Sequence, residues 1–255
     1  MVELKSAAEV EAMREAGRVV AQALAAVRDQ ARPGVTLADL DALAATVISD
    51  AGATPVFLHY HPSWAPTPFP GVICASVNDD VVHAIPGRRR LEDGDLVSID
   101  CGADLRGWCG DAAVSFVVGT PDPADLALIE VTERALSAGI AAARPGGRIG
   151  DIGAAVGAVA RAAGYGMLAD HGGHGIGRVM HEDPYVPNEG RRGKGRRLEP
   201  GLVLAIEPML HAGGSDGYVT RRDGWTLATA DGSRAAHAEH TVAVTADGPR
   251  VLTVV

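Results

Sequence analysis

Apolar residues recur every three or four positions after Ser6, at Met13, Ala16, Val20, Ala23 and Leu24, and this spacing predicts an amphipathic helix. Ser6 and Glu9 form an S-x-x-E capping box at its start, and Arg32-Pro33-Gly34 stops it after about Gln30. Thr36 can cap a second helix that runs to about Ala51, before Gly52. Asp122-Pro123 opens a third, with proline where its missing N–H costs little, and Arg144-Pro145-Gly146 ends it. A fourth is expected from about Ile149 to Ala163, before Gly164. Elsewhere the pattern changes to short β-branched or apolar runs at 72–77, 96–101, 108–118, 202–206 and 241–245, bounded by polar or turn residues. Antiparallel hairpins with helices packed on one side predict an α+β fold.

The two helix pairs resemble each other at one fixed offset. Arg32, Pro33, Gly34, Asp39, Ala42, Val47, Ala51 and Gly52 recur 112 residues on as Arg144, Pro145, Gly146, Asp151, Ala154, Val159, Ala163 and Gly164. Ala/Gly-rich helices look alike, but the shared Arg-Pro-Gly and Asp are not filler. The match predicts an internal duplication within a single domain over 1–255, with halves of about 1–118 and 119–255. Two repeats are too few for a solenoid, so a closed pseudo-twofold arrangement is expected.

Composition narrows the class. A chain of 255 residues, 47% hydrophobic and 22% charged, is globular, neither disordered nor membrane-embedded. The net charge of −9 argues against a nucleic-acid partner, and the basic run 191–197 (RRGKGRR) reads as a solvated loop. Cys74, Cys101 and Cys109 contain no C-x-x-C pair, so no disulfide framework and a reducing cytoplasm are expected. The opening MVELKSAAEVEAMREAG carries charges throughout and is not expected to be a signal peptide. No apolar run approaches the roughly 20 residues of a membrane span.

Candidate chemistry lies where carboxylates interrupt apolar strands. Asp100 ends LVSID, Asp111 sits in CGDAAVSFVV, Glu207 follows LVLAI and Glu239 precedes HTVAV. A buried carboxylate costs several kcal/mol unless paired or bound to a cation. One alone reads as an ion pair or a strand end. Four, with histidines in Gly-rich turns, point to a shared cation site. The histidines singled out are His83 in VVHAIPG, His174 in GGHGIG and His181 in VMHEDP, while His171, His211 and His237 read as core or surface residues. A carboxylate-dominated set suits Mn, Co, Fe(II) or Zn. The cysteine spacing excludes a Cys-rich zinc site. P-loop, H-E-x-x-H and G-x-S-x-G motifs are absent.

The order Asp100, Asp111, His174, Glu207, Glu239 resembles the metal set of the pita-bread peptidases. The segments SVNDDVVHAIPG, DGDLVSIDCGADLRGWCGDAAVSF, GGHGIGRVMHEDP, GLVLAIEPML and DGWTLATADGSRAAHAEHTVAVT narrow the resemblance to type I methionine aminopeptidases. The likeness spans essentially the whole chain. Glu207 follows His181 by 26 residues, which leaves no room for the extra helical subdomain of type II members. The resemblance implies a pita-bread fold and removal of the initiator methionine before a small second residue. It implies two divalent metal ions (Co, Mn, Fe(II) or Zn). Asp100 would grip one through both oxygens, Asp111 and Glu239 would bridge, and His174 and Glu207 would complete the other. Glu207 would accept the proton of the attacking water, His181 would bond the scissile carbonyl, and His83 would contact the leaving-group nitrogen or the peptide backbone. Tyr60, Phe69, Cys74, Met180 and Trp225 would form the methionine pocket. The implied partners are peptide and nascent-protein N-termini, with a transient ribosome contact in view, and the implied state is a monomer.

Four features depart from the family pattern: the longer stretch over 62–71 beside the pocket, Ala84 in place of a common glycine, Met180 at an often aromatic position, and His237 in place of a common glutamine. Two alternatives therefore stay open. One is a non-catalytic pita-bread binding module. The other is an aminopeptidase of another preference, such as X-Pro.

Overall fold

A computed structural model describes residues 2–255. Its long helices are α1 (Ala7–Gln30), α2 (Leu37–Asp50), α3 (Pro123–Ala142) and α4 (Ile149–Ala162). Their ends follow from local chemistry. The Glu9 N–H donates to Ser6 Oγ at 3.4 Å, and the Ser6 N–H donates back to the Glu9 carboxylate at 2.8 Å. Thr36 and Asp39 make the same reciprocal pair at 3.1 Å in each direction. Asp122 caps α3 through the Ala124 N–H at 2.8 Å. Each bond satisfies a donor that the first helical turn leaves unpaired.

One nine-stranded sheet, antiparallel throughout, carries the fold. Its order is Thr54–Pro55, Leu96–Leu105, Trp108–Val117, Glu239–Thr245, Val203–Ile206, Gly172–Gly175, Glu182–Pro187. Ile73–Val77 also pairs with Leu96–Leu105, and Gly248–Val251 with Glu239–Thr245. The helix pairs α1/α2 and α3/α4 pack on different parts of the sheet. Val20, Leu24, Leu40 and Ile48 close on Ile73, Val97, Ile99 and Phe116. Leu136, Ile149 and Ile152 close on Leu204, Ile206 and Val242. The strands Trp108–Val117 and Glu239–Thr245 join these parts through only two register pairs, Glu239 with Ala113 and His240 with Ala112.

The structure departs from the expected strands in several places, beginning with Thr54–Pro55, Gly172–Gly175, Glu182–Pro187 and Gly248–Val251, which the large sheet adds to the expected runs. The strand Leu96–Leu105 runs on past residue 101, because Arg106 and Gly107, with φ of 55° and 79°, close a two-residue hairpin onto Trp108. Both φ are positive, as a primed turn requires. The strand Glu239–Thr245 begins at the carboxylate instead of after it. Two three-stranded sheets lie outside the expected set. One joins Gly166–Met167, Met209–His211 and Ala235–His237; the other joins Asp80–Val82, Tyr218–Thr220 and Leu227–Thr229. Among the described residues no helix is long and apolar enough to cross a membrane.

The glycines beside His174 have a steric task. A Cβ on Gly173 would lie 2.0 Å from the Ala205 carbonyl oxygen, and one on Gly175 would lie 2.2 Å from that of Asp183. Only glycine lets Gly172–Gly175 nest between its two neighbours. We expect Gly173→Ala to cost about 1–3 kcal/mol by overpacking, measured by urea denaturation. An unchanged midpoint would show that the strands can part at no cost.

Candidate metal centre

Strand register gathers the carboxylates. Asp100 faces Ala113 in one ladder and Ala113 faces Glu239 in the next, so both acids stand in one row across three strands. Side chains alternate across a sheet, so Asp111, two residues before Ala113, shares that face. Ile206 pairs with His240, which puts Glu207 next to Glu239. His174 pairs with Ala205, two residues before Glu207. The Asp111 backbone is fixed from the neighbouring strand: its N–H donates to Thr241 Oγ1 at 2.9 Å, and that hydroxyl donates to the Asp111 carbonyl at 2.8 Å.

The five residues expected as ligands converge, and His237 joins them. His174 Nε2 lies 3.9 Å from Asp111 Oδ2 and 3.6 Å from Glu207 Oε1. His237 Nε2 lies 3.8 Å from both Glu207 Oε2 and Glu239 Oε2. These separations are too long for hydrogen bonds. They suit donor atoms that each stand about 2.0–2.2 Å from a shared cation. Two clusters, Asp111/His174/Glu239 and Glu207/His237/Glu239, each keep their donor atoms within 4.8 Å, and Glu239 belongs to both. Asp100 adjoins them, lining the same cavity as Asp111, His174, Glu207 and Glu239. Asp100 Oδ1, Asp111 Oδ1, Glu239 Oε1, His83 Nδ1 and His237 Nε2 are buried without a partner. Unpartnered buried oxygens and imidazole nitrogens on one sheet face fit a divalent cation.

Electrostatics agree with that fit. Burial pushes Asp100 up to about 7. Burial, then the charges of Asp100 and Glu207, holds Asp111 well above the usual carboxylate range. Burial and Asp100 do the same to Glu207, and burial with Asp111, Glu207 and Asp100 to Glu239. His174 and His237 are each pushed down to about 3, chiefly by burial. They stand as neutral imidazoles, the form that binds a metal. A hydrogen bond from His174 Nδ1 to the Gly175 carbonyl at 2.9 Å leaves its Nε2 lone pair facing the acids.

The other expected residues surround this centre. His83 has φ of 60°, a left-handed conformation that re-aims its side chain after the strand Asp80–Val82. Burial lowers its ring to about 4. The His181 ring centroid lies 4.3 Å from that of His174 and 5.4 Å from that of Tyr60. Phe69, Cys74, Met180 and Trp225 form an apolar cluster with Tyr60 at its edge. A cavity of about 60 Å³ runs between that cluster and the carboxylates. Burial holds the Cys74 thiol protonated.

Sequence reasoning missed Phe57 and Ala65, which join the cluster, and His237. His237 had a usable signal, since it stands two residues before Glu239, at the end of the strand Ala235–His237. His171 borders a wider groove at the site, whereas His211 is fully buried, with Nδ1 on the Ser215 carbonyl at 2.9 Å. The basic run 191–197 lies apart, at the start of α4.

These shifts fix a pH dependence. Above the free imidazole value of about 6.5 most histidines are neutral in the unfolded chain, and the buried His83, His174 and His237 are neutral in the folded one, so the carboxylates dominate the difference. The ion-free fold keeps protons on them that the unfolded chain has lost, so stability falls as pH rises through the folded value of about 7 for Asp100. We expect the Tm of chelator-treated protein to drop between about pH 6.5 and about 8.5, and added Mn to abolish the drop, as followed by calorimetry. A Tm that rises over this range without Mn would contradict the assignment.

Comparison with known proteins places the chain. The family model described as metallopeptidase family M24 matches residues 11–246. Methionine aminopeptidase 1 of Mycobacterium tuberculosis is 54% identical over 99% of this chain and 95% of its own length. The crystal structure of methionine aminopeptidase from Thermotoga maritima superposes with a TM-score of 0.95 at 39% identity, covering 100% of both chains. That from Rickettsia prowazekii gives 0.95 at 38% identity with the same coverage. With helices packed on a curled antiparallel sheet, the chain therefore belongs to the type I methionine aminopeptidases of metallopeptidase family M24 and has their pita-bread fold.

Proposed function

We propose that this protein hydrolyses the bond after an N-terminal methionine when the second residue is small, acting on peptides and nascent chains. One observation carries the reading: a buried cluster of carboxylates and neutral imidazoles shares one cavity with an apolar pocket that suits a thioether side chain. In this reading Asp100, Asp111, His174, Glu207 and Glu239 hold two divalent ions, and His237 borders the same space. Bound there, the ions supply Lewis acidity that lowers the pKa of water and polarises a carbonyl.

The chain's own residues do the rest. Phe69, Cys74, Met180, Trp225 and Tyr60 seat the methionine side chain and exclude water. Seating fixes the scissile carbonyl beside the acids, which converts binding energy into orientation. Glu207, whose proton affinity is raised by burial, accepts the proton of the attacking water. His181, kept neutral by burial, donates to the carbonyl oxygen as charge grows on it. His83 contacts the leaving nitrogen. The free amine lies beside Asp100, so only a chain end fits.

The same reading takes residues 1–255 as one catalytic unit of two related halves, about 1–118 and 119–255. Supporting it, α2 and α4 differ by 112 at both ends, and the preceding Gly34 and Gly146 have φ of 92° and 89°.

Three measurements test the proposal. With Mn or Co added, Met-Ala-Ser should release methionine while Ala-Pro-Ser stays intact and Met-Leu-Ser reacts slowly; no turnover despite bound metal would sink the enzyme reading. Asp111→Ala should lose ions and activity together, by metal analysis and kinetics. His181→Ala should keep its ions while kcat falls about 10²–10³-fold. Loss of metal from that variant would overturn the role given to His181.

A further inference from the structure

The groove beyond the cavity has a wall that the proposed reaction leaves unused. It measures about 330 Å³ and shares His83, His174, His181, Glu207 and Trp225 with the methionine cavity. Trp64 lies on it with 60% of its surface exposed, more than any other aromatic residue among the described ones. Its ring centroid stands 5.0 Å from that of Trp225, edge to face, and 6.3 Å from that of His83 with the planes inclined at 28°.

An exposed indole on a mobile loop would carry no argument, but this one is mounted. The segment 61–68 closes across a neck of two backbone bonds, from the His59 N–H to the Phe69 carbonyl and from the Phe69 N–H to the Tyr60 carbonyl, each 2.8 Å. The Trp225 indole N–H donates to the Thr67 carbonyl at 3.0 Å, and the Ala65 N–H donates to that of Pro62 at 3.0 Å. Ala65 is buried in the pocket cluster. Pro62, Pro66 and Pro68 restrict what remains. The ordering cost of the indole is therefore met by the fold and is not charged to a ligand.

We propose that Trp64 determines specificity on the leaving-group side of the bond, packing its indole face on the third residue of the peptide and favouring an apolar or aromatic side chain there. This rests on the aminopeptidase reading. With methionine in the inner cavity and the leaving nitrogen at His83, the remaining peptide leaves along the groove. An extended chain advances about 3.4 Å per residue, which brings the third residue to the indole.

Steady-state kinetics on Met-Ala-Phe-Ser and Met-Ala-Asp-Ser test the assignment in wild type, Trp64→Ala and Trp64→Phe. Wild type should prefer the Phe peptide. Trp64→Ala should lose about three- to tenfold in kcat/KM on it, mainly through KM, with a smaller loss on the Asp peptide. Trp64→Phe should recover most of the preference, and it keeps a ring against Trp225 so that the pocket stays supported. Equal losses on both peptides, a loss confined to kcat, or no loss would overturn the role of Trp64 while leaving methionine release intact. Absence of methionine release by wild type from either peptide would overturn the underlying reading, and this assignment with it.

Discussion

Four carboxylates on one buried sheet face cannot all be charged without a counter-cation, and much of the architecture follows from that. Asp100, Asp111, Glu207 and Glu239 line one small, largely buried cavity, where their charges raise one another's proton affinity. Left alone they hold protons, which is the response expected of a buried acid. A divalent cation removes that need and turns a destabilising cluster into an anchor. The neighbours fit this purpose. Histidines kept neutral by burial add donors without adding charge, and Thr241 pins the Asp111 backbone through two hydrogen bonds. Glycines around His174 make room for the strand that carries it.

Chemistry and specificity sit on different kinds of structure. Asp100, Asp111 and Glu239 stand on sheet strands and Glu207 directly follows one, so register brings them to one face. The apolar pocket is assembled from loops and strand ends, with Phe69 and Ala65 from one segment and Trp225 from another. A ladder holds its register strongly wherever one face is buried. Loops tolerate insertions and exchanges. This division lets the segment 61–68 lengthen and place a new aromatic at the rim while the cation site keeps its geometry.

The helices were legible because their ends carry local signals. Capping pairs Ser6/Glu9 and Thr36/Asp39 and the proline after Asp122 act within one turn and need no tertiary context. The four acids were legible because a charge inside an apolar strand has few explanations. The Arg106-Gly107 hairpin was not, since it lacks the Asn-Gly signal and the expected apolar run ends at residue 101. The small side sheets use strands of two or three residues, too short for a periodic pattern. His237 stands out as a departure from the family pattern but reads as a core or surface residue, because its closeness to Glu207 and Glu239 arises only in the folded chain, and Phe57 was missed because its partners lie in distant segments.

The narrow junction between Trp108–Val117 and Glu239–Thr245 gives the cation centre a second consequence. Only two register pairs tie these strands, yet Asp111 and Glu239, placed diagonally across that line, both belong to one donor cluster. A cation held there would act as a rivet across a seam that has only two register pairs of its own. Its donors span residues 111 to 239, so it engages only after distant segments have docked. Interactions that form this late slow unfolding more than they hasten folding. Occupation of the centre that carries the chemistry would thereby also lengthen the time the folded chain lasts before it opens along the seam.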